Sequence, residues 1–384
     1  RLSLMDDAIR SNAAEIAARA ERELEALVAV SSPSGDLEGA EEAIAVCVAL
    51  LPVEASVERV PCSTKGSAAD LVATISGRGA RRLLLLGHVD TVIGHHAHGP
   101  LKRESGRLYA PGAADMKGGV VLALEVARVL AQRPELFSEI SVLLVTDEEW
   151  RTTDFRHVER FVNYDACLCF EAGERGQGRE EGVVVKRKAA GTLRVNAAGR
   201  AAHSGSAPDQ GRNALLALAE AAPAIARFHA PTGPDRLSVV PTIIRSGQAF
   251  NVVPAAGELI FDVRGDRLET FEPVLDAVPR ELRGVELTAT FERRWPGMDS
   301  RKATRSLLEK ASARLGRQIV GASRGGASDA SHFAPVIPLT VDGLGPRGGG
   351  AHTPHEFVFV ESLRQRAEVA LAVALEALCD PLGR

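Results

Sequence analysis

The first residues of this chain whose types and spacing could do chemistry are His88 and Asp90. They close the run RRLLLLGHVD, in which Leu83 to Leu86 lead through Gly87 to the histidine. The arrangement recurs along the chain. ISVLLVT ends in Asp147, Glu148 and Glu149, and ACLCF ends in Glu171. The loop YAPGAADMKGG carries Asp115 just before an apolar helix-like stretch, and the glycine-rich GPRGGGAHTPHE carries His352 and Glu356. In open α/β sheets, ligand and catalytic groups gather at the carboxyl ends of strands. A charged group beside a core is costly unless it is paired or bound to a cation.

Each residue has a plainer reading alone. His88 reads as a hydrogen-bonded strand end, Asp115 as a helix N-cap, and residues 147–149 as a solvated turn. Glu171 reads as the start of a polar loop and His352 as a turn residue. Together, His, Asp, Glu, Glu and His are the ligand inventory of a two-metal site. Carboxylate and imidazole without thiolate suit zinc, with cobalt or manganese as alternatives. Two divalent ions roughly 3.5–4 Å apart need shared negative charge. Asp115, in its glycine-flanked turn, is best placed to bridge them.

The elements that must position these groups are legible in the hydrophobic pattern. Helices are predicted over residues 12–31 and 38–51, then strands in DLVATISG, RRLLLLGHVD, EISVLLVTDEE and DACLCFEAG. An apolar helix, MKGGVVLALEVARVLAQ, lies between the second and third strands. This alternation predicts an α/β sheet with buried strands. ERGQGREEG reads as a loop. Beyond it the style changes: GTLRVNAAG is an alternating strand and RNALLALAEAAPAIARF a helix. RLSVVPTIIRSGQ, NVVPAAGELIFDVRG and VELTATFERR are strands, with DRLETFEPVLDAVPRELR as a helix among them. The pattern then returns to a helix over 303–315, the strand VIPLTVDG and a last helix over 361–378. The expected fold class is α/β: a mixed, mostly parallel sheet domain from residues 1–186 and 299–384, with an inserted α+β domain over 187–298.

Composition narrows the function classes. The 384 residues carry a net charge of -4 with interspersed signs, so there is no basic stripe for nucleic acid and no polybasic membrane patch. No apolar run approaches the length of a membrane span. The opening RLSLMDDAIR lacks the apolar core of a secretory signal. The five cysteines, Cys47, Cys62, Cys167, Cys169 and Cys379, are too sparse for a disulfide framework and fit a reducing cytoplasm. Cys167 and Cys169 alternate on one strand face and read as core. The HHAH run from His95 to His98 reads as a surface loop.

In order, GHVDTV, GAADMKGG, TDEE, the strand-ending FE, GRAAHSG, FNVVP with FDVR, SDAS and GAHTPHE resemble the di-zinc peptidase family. Its members include glutamate carboxypeptidase, aminoacylase, peptidase T and succinyl-diaminopimelate desuccinylase. By motif the resemblance runs from about Leu71 to Val360. It implies His88 and Glu171 as ligands of one zinc, Glu149 and His352 as ligands of the other, and Asp115 as the bridge. It implies that Asp90 orients His88 through the other ring nitrogen, and that Glu148 is the general base. It also implies a cis peptide between Asp115 and Met116.

The insert resembles that family's lid and dimerisation domain. His203 in GRAAHSG matches a histidine that reaches across a homodimer to the reacting carbonyl. Asn251 in FNVVP matches a substrate contact. Arg294 is the best match for an arginine pairing a substrate carboxylate, with Arg264 and Arg324 as rivals. The implied activity is zinc-dependent cleavage of a peptide or N-acyl amino acid that bears a free carboxylate. An aminopeptidase reading the substrate's amine, and a metal-stabilised binding protein without catalysis, are the alternatives. Trp150 stands where the family often has glycine after its acidic pair, Ala110 replaces a common glycine, and WRTTDFRHVER lacks the usual glycine- and serine-rich run.

Overall fold

The computed structural model of the chain describes residues 2–175 and 180–379, with side chains from residue 8 onward. The chain divides into two compact units. One comprises residues 1–186, 299–324 and 328–384; the other comprises 187–298 with 325–327.

The first unit is built on a six-stranded sheet. Its order is Ser56–Val60, Asp70–Ser76, Glu139–Val145, Arg82–His88, Ala166–Cys169, Leu339–Val341. Arg82–His88 runs parallel to both its neighbours, Leu339–Val341 is parallel to Ala166–Cys169, and the first two pairings are antiparallel. The sheet is therefore mixed and mostly parallel. The central strand is buried from Leu83 to His88, which is why it reads as a continuous apolar run rather than an alternating one. Each buried leucine contributes about 1.5–3 kcal/mol of burial.

Helix Gly118–Ala131 is buried along nearly its whole length, against the His88 strand and helices Leu2–Ala29 and Val360–Cys379. Its one buried acid, Glu125, is held bidentately by Arg19 at 2.9 and 2.7 Å. The helix start needs glycine: a Cβ on Gly119 would lie 1.7 Å from the Phe170 carbonyl oxygen. That approach sets the Asp115 turn beside the strand end that carries Glu171. A small sheet, order Gly348–Gly349, Phe357–Phe359, Arg107–Tyr109, Lys102–Glu104, ties the His352 loop to the same region. Its strands are too short to register in the hydrophobic pattern.

The second unit is an antiparallel sheet of order Ser238–Ser246, Ala256–Gly265, Ala189–Ala198, Val285–Trp295, Glu281–Leu282. Helix Ala214–Ala226, capped by Asn213 on the Leu216 N–H, packs on it. Leu193, Val195, Leu218, Ile225, Phe261 and Phe271 form its core.

Several local expectations change: the first helix runs Leu2–Ala29 rather than 12–31, and the strand expected from Asn251 begins at Ala256. The helix predicted across DRLETFEPVLDAVPRELR is helical only from Leu268 to Asp276. Pro279 removes an N–H donor and disfavours helix in the residue before it. Beyond it Glu281–Leu282 turns back on Val285 through Arg283 and Gly284, both at positive φ (55° and 71°). In the loop predicted over ERGQGREEG, residues 176–179 lie outside the described residues. Their flanks form a hairpin, with Glu174 paired to Gly182 and Arg175 to Glu181.

Candidate metal centre

The carboxyl end of the central strand delivers His88, fully buried, to the edge of the sheet. Its ring Nδ1 lies 3.0 Å from the Asp90 carbonyl oxygen and 3.3 Å from Asp90 Oδ1. Asp90 does more than face the ring. Its carboxylate accepts the main-chain N–H groups of Glu148 at 3.1 Å and Glu149 at 3.0 Å, and the Ser34 hydroxyl at 2.5 Å. One buried acid thus fixes the imidazole and the turn carrying both glutamates.

Asp115 sits at the middle of the group. His88 Nε2 is 3.3 Å from its Oδ1, and His352 Nε2 is 3.2 Å from its Oδ2. Glu171 Oε1 is 3.8 Å from His88 Nε2, and Glu149 Oε2 is 3.2 Å from His352 Nε2. The structure therefore brings His88, Asp115, Glu149, Glu171 and His352 together, with Asp90 and Glu148 buried beside them. The Asp115–Met116 peptide is cis. His352 holds a left-handed backbone, φ 64°, a conformation costing about 1–3 kcal/mol in a non-glycine residue. That turn aims its ring at Asp115 and Glu149.

The electrostatics are those of a cation site. Five carboxylates (Asp90, Asp115, Glu148, Glu149, Glu171) face two imidazoles. Burial opposes charge on His88, yet Asp115 and Asp90 raise its pKa well above the ordinary imidazole value. Hydrogen bonds to Asp115 and Glu149 push His352 up to about 10. Burial works against the charge on Asp115, but His352 and His88 hold it below the usual carboxylate range. Burial drives Glu148 well above that range, aided by Asp329, Glu171 and Glu149. The cluster draws protons onto its imidazoles where a divalent ion would satisfy the same charge.

Two buried atoms test the fit directly. Among the described residues, neither His88 Nε2 nor Glu149 Oε1 makes a hydrogen bond of good geometry, Asp115 lying close to the former without completing one. His88, Asp115 and Glu149 each offer a ligand atom within 4.8 Å of the others. Orphaned polar atoms on a carboxylate–imidazole set are what metal ligation would satisfy.

A second acidic group, Cys62, Asp70 and Asp147, is equally close-knit, but its oxygens are already engaged. Asp70 accepts the Thr146 N–H at 2.9 Å and meets His157 Nε2 at 2.7 Å. Asp147 accepts the Thr64 N–H and an Arg151 N–H, each at 2.9 Å. It reads as a hydrogen-bond network. His95 and His98 bind Ser31 Oγ and the Ala29 carbonyl at 2.8 and 3.3 Å, tying their loop to the end of the first helix. Cys167 and Cys169 are buried core.

In the second unit, His203 and Asn251 lie on adjoining exposed loops, linked by the Ser204 N–H donating to the Asn251 carbonyl at 3.0 Å. His203 Nδ1 accepts the N–H groups of Gly205 (3.1 Å) and Ser206 (3.2 Å), so the ring hydrogen sits on Nε2. Arg294 donates to Glu272 at 2.5 Å. Of its rivals, Arg264 is held by Asp262 and Arg324 by Glu174.

Three contributors had no role in the motif reading: Glu356, Arg151 and Asp329. Glu356, buried, accepts the N–H groups of Gly112 (2.9 Å), Ala114 and Asp115 (both 2.7 Å). Its position in GAHTPHE, four residues past His352, was the available signal. Arg151 and Asp329 pair across 178 residues, a separation no local pattern reveals.

The model of the peptidase family M20/M25/M40 matches residues 84–376. The chain belongs to this family. Members of the M20 family are metal-dependent hydrolases, which accords with the cation site. Carboxypeptidase G2 of Pseudomonas sp. (strain RS-16) is 29% identical over 374 residues, covering 92% of this chain and 88% of that protein. Succinyl-diaminopimelate desuccinylase of Stenotrophomonas maltophilia (strain K279a) is 30% identical over 363 residues, covering 83% and 90%. The same fold is seen in a tripeptidase from Staphylococcus aureus subsp. aureus mu50, with TM-score 0.75 at 20% identity over 95% of this chain and 99% of that one.

Proposed function

We propose that this chain is a di-zinc hydrolase that cleaves the amide bond of a peptide or N-acyl amino acid and releases the carboxyl-terminal amino acid. The observation that carries the reading is Asp115, whose two carboxylate oxygens face two different imidazoles at 3.3 and 3.2 Å. His88 and Glu171 would hold one ion, Glu149 and His352 the other, with Asp115 shared. Bound metals supply an acidified water and a polarised carbonyl. Glu148 takes the proton from the attacking water and delivers it to the leaving amine nitrogen.

The remaining roles follow the resemblance. His203, with its hydrogen on Nε2, would donate to the developing oxyanion from a partner subunit. Asn251 would contact substrate. A substrate carboxylate would compete with Glu272 for Arg294. The second unit would serve as lid and dimerisation domain. Its edge strand Ser238–Ser246 exposes Val240, Ile243 and Ile244, and helix Ala214–Ala226 exposes Leu215 and Leu216. A second copy pairing there would cover both an unpaired strand edge and its apolar side chains. The sparse cysteines of the sequence favour a cytoplasmic enzyme. Among the described residues no helix is long and apolar enough to cross a membrane.

The test is assay of zinc-loaded protein against N-acyl amino acids and dipeptides, with a chelated control. Zinc-dependent release of a carboxyl-terminal amino acid is expected. Glu148→Ala should keep its metal and lose about 10²–10⁴-fold in kcat, the usual contribution of a general base. A Glu148→Ala protein with full activity, or activity confined to substrates with a free amine, overturns the assignment.

A further inference from the structure

Trp150 and Arg151 follow directly after the two glutamates. Arg151 is not a surface residue: its side chain is 0% exposed. Its Nη1 donates to Asp147 Oδ1 at 2.9 Å, and its Nη2 donates to Asp329 Oδ1. Asp147 and Arg151 therefore bracket Glu148, Glu149 and Trp150, and their ion pair closes the turn on itself. The guanidinium lies over the Phe155 ring, 4.5 Å from its centroid, and Phe155 stacks in turn on His332 at 4.9 Å. Asp147 Oδ2 is anchored to the Thr64 N–H. Asp90 grips the same turn from the other side, through the N–H groups of Glu148 and Glu149.

We infer that Arg151 is a positioning residue for the hydrolytic site: it clasps the Glu148–Glu149 turn and ties it to Asp329, holding the base and the ligand in working orientation. The inference rests on the proposed function for its catalytic consequence and on the contacts above for its geometry. Arginine is required because one planar fork reaches two carboxylates at once; lysine offers a single compact charge. The clasp also accounts for Trp150. Its neighbours on both sides are fixed, so its own side chain, 62% exposed, is displayed outward.

Arg151→Lys tests this. The variant keeps the buried charge but cannot bridge both acids. Its kcat should fall about tenfold or more while KM stays within about twofold, the pattern expected when a supporting contact is lost and substrate binding is not. The second readout needs no activity. Of the two tryptophans, Trp295 is buried and Trp150 exposed, so the acrylamide-quenchable emission reports Trp150. Its anisotropy should drop in Arg151→Lys. A folded variant with unchanged kcat and anisotropy overturns the inference, as does one that only melts earlier while each folded molecule turns over normally. If Arg151→Lys does not fold, Asp329→Asn severs one arm of the clasp and must show the same two changes. Wild-type protein without hydrolase activity would sink the proposed function and leave the clasp to be judged on anisotropy.

Discussion

Glu356 Oε1 accepts the main-chain N–H of Asp115 at 2.7 Å, joining the loop that carries His352 to the turn that carries the carboxylate facing both imidazoles. The same side chain accepts the N–H groups of Ala114 and Gly112, so a single buried acid holds three N–H groups of one turn, residues 112–115. Glu356→Gln keeps the size but replaces one acceptor oxygen with an N–H donor facing those N–H groups. Loss of such a supporting contact commonly lowers metal affinity about 10–100-fold. Titration of the metal-free variant with zinc measures it, and unchanged affinity would show that the turn holds itself.

Metal removal should also be felt in stability. Without a bound cation, five carboxylates surround two imidazoles and raise their pKa values, that of His352 up to about 10. Zinc binding must displace the protons on those rings, so affinity should rise with pH across neutrality and calorimetry should detect proton release that varies with the buffer. At free zinc of about 100 times Kd the folded state gains about 2.7 kcal/mol. A melting temperature indifferent to chelator would mean that the ligands do not bind metal as a set.

The edge strand of the second unit makes a separate prediction. Ile244 is half exposed on Ser238–Ser246. Ile244→Lys places a charge on that edge without touching the core, and charged edges block strand pairing. Sedimentation should show a dimer becoming a monomer with an unchanged circular dichroism spectrum. Because His203 is proposed to act across the dimer, the monomer should also lose turnover. An active monomer would place that histidine's donor role within one chain.

Much of this was legible in the residue order. The central strand announced itself because burial on both faces demands an unbroken apolar run, and its termination on His88 marked the edge where the acids gather. Of the five proposed donors, His88, Glu149 and Glu171 follow strands whose apolar pattern is strong, whereas Asp115 and His352 lie in glycine-rich turns and stood out by residue type. Helix 266–283 was overread because its apolar spacing persists past Pro279, where the missing donor ends it. The short strands around the His352 loop were missed because a run of two or three residues has no period to detect.

What the sequence determined by itself was the chemistry of the ends: which acids and imidazoles leave the core, and in what order. What tertiary structure alone decided was how they are held. Asp90 carries the Glu148–Glu149 backbone, Glu356 carries the Asp115 turn, and Arg151 reaches Asp329 across 178 positions. It also decided that Arg294 meets Glu272, a pairing set by the register of strand and helix. Hydrophobic periodicity is a local property of the chain, so it can be read in order. Hydrogen-bond partners are chosen by proximity after folding, and proximity across a sheet leaves no trace in local spacing.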